Sequence, residues 1–323
     1  MTFKAQDMAE GERSGTEGAD RSRPLPPMVV EALAPAKSVE EAEAFCTRLA
    51  KSHYENFSVV SVLLPAHLRQ DFSNVYAFCR TADDLGDEIH NPDVAMSHLE
   101  NLAEQTRKCF AGEVESTLFA ALSGTIARHE IPIDPFLDLI DAFEQDQRIK
   151  RYETFDQLLN YCRRSANPVG RIVLYLCGYR DERRQQLSDL ICTALQLANF
   201  WQDVRRDLVE LDRIYLPAES MRKFGVNEEL LARGECNQPY RDLIRFEVDR
   251  TTEMFDRGDE LFETLDPSVR GHIALFSKGG RAILQAIREA DYDTLSARPA
   301  LSAWQKGRLV LSAVGAKLGS MSA

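Results

Sequence analysis

Two stretches of this chain put carboxylates where a helical core should lie. In the first, Phe72, Val75, Tyr76 and Cys79 recur at steps of three and four, as the buried stripe of an amphipathic helix does. The next members of that stripe are Asp83 and Asp87, about 40° apart on a wheel of ~100° per residue. Asp84 lies further round, displaced by another ~100°, and is the weaker candidate. In the second stretch, Cys192, Leu195 and Gln196 lead to Asn199, Asp203 and Asp207 on one face. Carboxylates aimed inward repel one another and lose hydration unless a cation sits between them. A divalent metal is the simplest such cation. Magnesium takes oxygen ligands and is held by few carboxylates together with substrate phosphates. The spacing therefore predicts a helical fold in which two acidic faces share a magnesium–diphosphate site.

The rest of the chain agrees with helices. Residues 1–37 are rich in Gly, Glu, Arg, Ser and Pro and read as a disordered tail. Ser38-Val39-Glu40-Glu41 fits a capping box that opens a domain over 38–295. Pro65 suits the first turn of a helix running to about Ile89, and Asn91-Pro92 ends it. Helical patterns follow at roughly 93–110, 115–129, 134–149, 154–165, 168–178, 183–210, 237–265, 268–290 and 300–317. An irregular stretch surrounds Asp212 to Pro217, and alternating strand patterns are nearly absent. The expectation is one all-α domain. The segment 296–323 carries only basic charges (Arg298, Lys306, Arg308, Lys317) with Trp304. It reads as a last helix packed on the domain, the alternative being a peripheral contact with an anionic membrane.

Charge narrows the function. A net charge of -12 argues against nucleic acid as a partner, and an anionic substrate then needs metal or local arginines. Seven cysteines without CxxC spacing read as free thiols in a reducing cytoplasm, and six scattered histidines form no zinc pattern. No apolar run is long enough to cross a bilayer and no signal-peptide pattern opens the chain, so a cytoplasmic protein is expected.

Tyr76-Ala77-Phe78-Cys79-Arg80 leading into Asp83-Asp84-Leu85-Gly86-Asp87, and Gln196-Leu197-Ala198-Asn199 leading into Asp203 and Asp207, resemble the squalene/phytoene synthase family. These are the head-to-head isoprenyl diphosphate synthases, and the likeness spans about residues 45 to 290. It implies an isoprenoid-synthase helical bundle with a central cavity capped by the two acidic helices. It also implies that Asp83, Asp87, Asn199, Asp203 and Asp207 hold magnesium and the diphosphate. His53, Tyr76 and Arg80 match family positions near the diphosphate, and Gln196 a polar position lining the cavity. Phe57 reads as cavity or core wall. Arg213 and Tyr215 fall in the family's Arg-x-Tyr-Leu-Pro string, which covers the site. The strings His53 to Phe57, Tyr161 to Gly170 and Asn199 to Asp203 look like the branch that converts presqualene diphosphate to hydroxysqualene. That branch stands between an enzyme making presqualene diphosphate and one reducing hydroxysqualene, in a route that often feeds hopanoids. Condensing relatives usually carry arginine where this chain has Gln202.

The alternatives within the fold are condensation of two farnesyl diphosphates, NADPH-dependent squalene formation and a carotenoid precursor. Outside enzymology the alternative is a non-catalytic assembly protein. Such a relative is expected to lose the aspartates, and this chain keeps every one. Two single residues were open on sequence grounds. Gly170 suits either a turn or a close approach of substrate. Trp201 lies off the aspartate face and reads as packing.

Overall fold

The computed structural model describes residues 25–52 and 65–301. His53 and Phe57 therefore lie outside the described residues, as does most of the C-terminal segment from residue 302 onward. No β-strand occurs among the described residues. Two isolated bridges, Pro35 with Ser116 and Arg151 with Ile214, are the extended contacts recorded.

The first helix, α1 (Pro27–Leu33), corrects the reading of 1–37 as tail. Its Val29 and Ala32 are buried, so residues about ten positions before Ser38 already pack on the domain. Helix α2 (Val39–Ser52) starts at Ser38, whose Oγ accepts from the Glu41 amide at 3.2 Å. A short 3-10 turn over Ala66–Leu68 leads into α3 (Arg69–Asp87). Asn91 then caps α4 (Pro92–Phe110) by accepting from the Asp93 and Val94 amides. Next come α5 (Thr117–His129), α6 (Asp134–Asp146) and α7 (Phe155–Ser165), the last capped by Thr154.

Asn167-Pro168 opens α8 (Asn167–Leu176), where proline sits at a position whose amide needs no helical partner. Gly170 lies inside that helix and not in a turn. A Cβ there would stand 2.4 Å from both Cys192 Sγ and Ser188 Oγ of the neighbouring helix. Its role is helix-to-helix approach, which settles the two options left by the sequence in favour of neither.

The helix expected over 183–210 is two helices, α9 (Glu182–Gln202) and α10 (Val204–Leu211), bent at Asp203. The hydrogen-bond ladder is interrupted there, with one helical bond on each side of the bend. The Asp203 amide donates to the Asn199 carbonyl at 2.9 Å and the Asp207 amide to the Asp203 carbonyl at 2.8 Å. Short helices α11 (Ala218–Lys223) and α12 (Glu228–Arg233) fill a stretch with no clear period. Then come α13 (Gln238–Gly258), a 3-10 turn over Asp259–Thr264 and α14 (Pro267–Glu289).

Helix α9 is the central post and packs on α8, α13 and α14. Helix α3 is its counterpart, wrapped by α2, α4, α5 and α6, and α8 touches both posts. That arrangement explains why α3 and α9 are buried nearly all round. Trp201 is fully buried, with its indole N–H donating to Thr251 Oγ1 at 2.9 Å, in keeping with the packing role read for it.

Candidate active site

Both acidic faces are buried. Asp83 and Asp84 are each 4% exposed, Asp203 6% and Asp207 2%. Asp87 and Asn199 are half-buried. Burial of ionised carboxylates needs compensation, and arginines supply it.

On α3 one guanidinium serves several acids. Arg80 reaches Asp83 Oδ2 at 3.2 Å, pairs closely with Asp84 Oδ1, and reaches Glu88 Oε1 at 3.2 Å. Among the described residues this guanidinium faces two buried carboxylates and a third at the rim. Burial pushes the Asp84 carboxyl up to about 6, against the pull of Arg80 and with a further push from Glu88. All of these acids lie at the C-terminal end of α3, where the helix dipole also disfavours negative charge. Asp84, the weaker sequence candidate, is thus as buried as Asp83. Tyr76, one turn earlier, is 1% exposed, and burial raises its phenol above the ordinary range.

The second face is held from outside its own helix. Asp203 is gripped by Arg298 Nε and Nη2, and the same Nη2 donates to Gln202 Oε1 at 2.9 Å. Gln202 Nε2 in turn donates to the Pro299 carbonyl. The segment 293–301 is therefore laid over the end of α9 by the residue pair Gln202-Asp203. A cavity of about 310 Å³ lies beside it, between Gln202, Arg205, Arg206 and the strand of chain from Thr294 to Arg298. Gln196, on the same face of α9, is 2% exposed.

Arg213 joins the two faces. Its backbone amide donates to the Asp207 carbonyl at 2.9 Å, and its Nη1 donates to Asp87 Oδ1 at 2.9 Å. The left-handed turn at Asp212, closing α10, reverses the chain so that this reach is possible. Burial works against the Arg213 charge, but Asp146, Tyr215 and Asp87 hold it firmly protonated. Beside it Tyr215 stacks on Phe200 with ring centres 3.6 Å apart and planes 8° apart. Tyr161 and Tyr152 extend the stack, at 5.9 Å and 5.8 Å from Tyr215. A small cavity is left between Asp207, Arg213, Tyr215 and Phe200.

The structure thus brings Tyr76, Arg80, Asp83 and Asp87 together on α3, and Gln196, Asn199, Asp203 and Asp207 along α9 and α10. Arg213 ties the two sets. Four participants were missed or undervalued in sequence: Asp84, Asp146, Tyr161 and Arg298. Asp146 carried a usable signal, since it follows Phe136, Leu139, Ile140 and Phe143 on the α6 stripe just as Asp83 follows Cys79 on α3. Arg298 carried none, because its partner is 95 residues away in sequence.

No three histidine, cysteine, aspartate or glutamate side chains converge on one metal position among the described residues. The donor set still suits a hard cation. It is all oxygen and it is buried. Magnesium needs only one or two protein carboxylates when phosphate oxygens complete its shell. The carboxylate halves are therefore suited to a metal that arrives with a diphosphate.

A helical bundle with two buried acidic faces, each paired to arginine, has a donor set suited to a divalent metal and a diphosphate. Residues 50–305 match the squalene/phytoene synthase family, and this chain belongs to it. Members of that family process isoprenyl diphosphates and are generally dependent on divalent metal. The chain is 32% identical over 251 residues to hydroxysqualene synthase of Zymomonas mobilis, covering 76% of this chain and 82% of that one. It is 28% identical over 281 residues to 15-cis-phytoene synthase of Synechococcus elongatus, covering 83% and 91%. Among solved structures it resembles squalene synthase HpnC from Alicyclobacillus acidocaldarius at 45% identity and a TM-score of 0.75, covering 79% of this chain and 96% of that one.

Proposed function

We propose that this chain converts presqualene diphosphate to hydroxysqualene. The observation that carries the reading is Arg213, which binds the end of the first acidic face and the backbone of the second at once. In this reading that link joins the two motifs into one diphosphate site. The choice of substrate is supported by the likeness to hydroxysqualene synthase and to HpnC. It is supported further by Gln202, whose amide is engaged by Arg298 and Pro299 and whose place condensing relatives fill with arginine.

In this reading Asp83, Asp87, Asn199, Asp203 and Asp207 hold magnesium. Bound there, the metal supplies Lewis-acid stabilisation of the leaving diphosphate. Arg80 and Arg213, with His53, bind the phosphate oxygens as the carbon–oxygen bond breaks and negative charge builds on them. The cyclopropylcarbinyl cation rearranges against an apolar wall that includes Phe57 and the Phe200–Tyr215 stack. Water adds to the cation, loses a proton and gives the alcohol; diphosphate is the other product. Tyr76 on α3 and Gln196 on α9 are the polar side chains assigned here to orient that water. The wall must keep bulk water out until the skeleton has rearranged.

The catalytic domain is proposed to run from α1 to about residue 295, with 296–323 packed on it or resting on an anionic membrane. No helix among the described residues is long and apolar enough to cross a membrane. A cytoplasmic enzyme at the membrane face would pass a thirty-carbon product to a reducing enzyme and onward to squalene or hopanoids. The second reading is a phytoene- or squalene-type condensation of two prenyl diphosphates, favoured by the phytoene synthase relatives. Purified protein with magnesium should form hydroxysqualene from presqualene diphosphate without NADPH, as read by mass spectrometry. Accumulation of presqualene diphosphate or phytoene-type product from a prenyl diphosphate would favour the second reading.

A further inference from the structure

Asp146 is the last residue of α6 and is 3% exposed. Its position is costly twice over, because burial and the C-terminal end of a helix both disfavour a carboxylate. What it touches gives a reason for that cost. Tyr161 donates its hydroxyl proton to Asp146 Oδ2 at 2.7 Å. Arg213 Nη1 stands 3.7 Å from the same oxygen, and Arg213 Nη2 is 3.5 Å from the Asp146 backbone carbonyl. The far side of Arg213 Nη1 is the bond to Asp87 Oδ1. One carboxylate therefore connects α6, α7, the chain reversal after α10 and the first acidic face on α3.

We propose that Asp146 is a positioning residue for the reaction: it aims Arg213 at the first acidic face and fixes the direction of the Tyr161 hydroxyl, without itself meeting the substrate. This rests on the reading of the Arg213–Asp87 region as the diphosphate site. Two consequences follow from hydrogen-bond geometry. Arg213 has a permanent partner in Asp146, so it can loosen from Asp87 when a phosphate oxygen approaches and still keep its place. Tyr161 has only one proton and spends it on Asp146, so it offers the reaction its oxygen lone pairs and its ring face. The stack of Tyr161 on Tyr215, and of Tyr215 on Phe200, then transmits the Asp146 constraint to the aromatic wall.

Asp146→Asn separates charge from shape, since the amide oxygen still accepts from Tyr161 but Arg213 loses one of its two carboxylate partners and keeps Asp87. Diphosphate release is measured from both presqualene diphosphate and farnesyl diphosphate, with melting followed by circular dichroism. Partners that orient a site from outside typically cost about ten- to a hundredfold when removed. The expected result is a kcat loss of that size with KM within about threefold, and a smaller loss in Asp146→Glu. Tyr161→Phe added to Asp146→Asn should lower kcat by far less than the product of the two single losses. A kcat for Asp146→Asn within about threefold of wild type, or losses that multiply, would overturn the proposal. Should Asp146→Asn fail to fold, the cycle of Tyr161→Phe with Arg213→Lys carries the same test, and multiplicative losses there overturn it too. Wild-type turnover to a product other than hydroxysqualene overturns the substrate reading alone. Absence of turnover on either diphosphate overturns both.

Discussion

Replacing Asp84 with asparagine should stabilise the metal-free protein at neutral pH. The reasoning starts from Arg80, one guanidinium shared by Asp83, Asp84 and Glu88. Burial leaves Asp84 with a carboxyl raised from 3.8 to about 6. A raised acid favours folding when protonated, so its contribution is full below about 3.8 and is lost as pH rises through about 6. At ~1.36 kcal/mol per pH unit, the gap between those values amounts to about 3 kcal/mol carried against folding at pH 7.5. By pH 4.5 the same linkage shrinks to about 1 kcal/mol, since much of the wild-type carboxyl is then protonated in the folded state. Asparagine removes the charge but leaves an amide to satisfy, so the net gain at pH 7.5 should be about 1–3 kcal/mol. For a domain of this size that is a rise of about 2–6 °C in Tm. The assay is urea unfolding of both proteins in chelator at pH 7.5 and 4.5. A variant less stable than wild type at pH 7.5, or a gain equal at both pH values, would refute the under-neutralised cluster. With magnesium and inorganic diphosphate the wild type should recover most of the difference, because added cation relieves the same deficit.

Arg298→Ala leaves Asp203, whose side chain is 7% exposed, without its guanidinium. It should cost about 1–3 kcal/mol in chelator and much less with magnesium, as read by thermal melts; equal losses in both would refute the pairing. Gly170→Ala forces a methyl to within 2.4 Å of Cys192 Sγ and Ser188 Oγ and should cost about 1–3 kcal/mol by urea unfolding. Gly124→Ala, with only the far end of Arg128 within 4 Å, should instead gain about 0.5–1 kcal/mol from helix propensity. Asp83→Asn and Asp203→Asn should each lower diphosphate release by at least about a hundredfold while their melts stay cooperative, if the two faces form one site.

The fold class was legible because helical periodicity is a local property. Phe72, Val75, Tyr76 and Cys79 announce α3 without reference to any other part of the chain. The same stripe announced Asp83, since a charge in register with buried residues is visible as an exception. What stayed hidden was whatever depends on partners distant in sequence. The bend at Asp203 carries no proline or glycine, so nothing local in the sequence marks it. The burial of Asp84 comes from neighbouring helices wrapping α3 on nearly every side, which no single face of a wheel reveals. Helix α1 was lost because Val29 and Ala32 are two apolar anchors in a seven-residue element, too few for a period to emerge among prolines and charges. Arg213 could be placed in the site by resemblance, but its two-sided grip on Asp87 and Asp207 exists only once the left-handed turn at Asp212 has folded.

The arginines explain how a chain of net charge -12 can hold a diphosphate. Each acidic face already carries its own guanidinium: Arg80 on Asp83 and Asp84, Arg213 on Asp87, Arg298 on Asp203. These pairs offset part of the cost of burying the carboxylates. They also place the positive charge that an anion needs within reach of the carboxylates that a cation needs. When the carboxylates are taken by metal, guanidinium donors become free to meet phosphate oxygens, and neither set has to be assembled from solvent. The exchange demands that the arginines stay in place while changing partners. Arg213 meets that demand through Asp146, which is why the loss of a carboxylate outside the two acidic faces should also show in kcat.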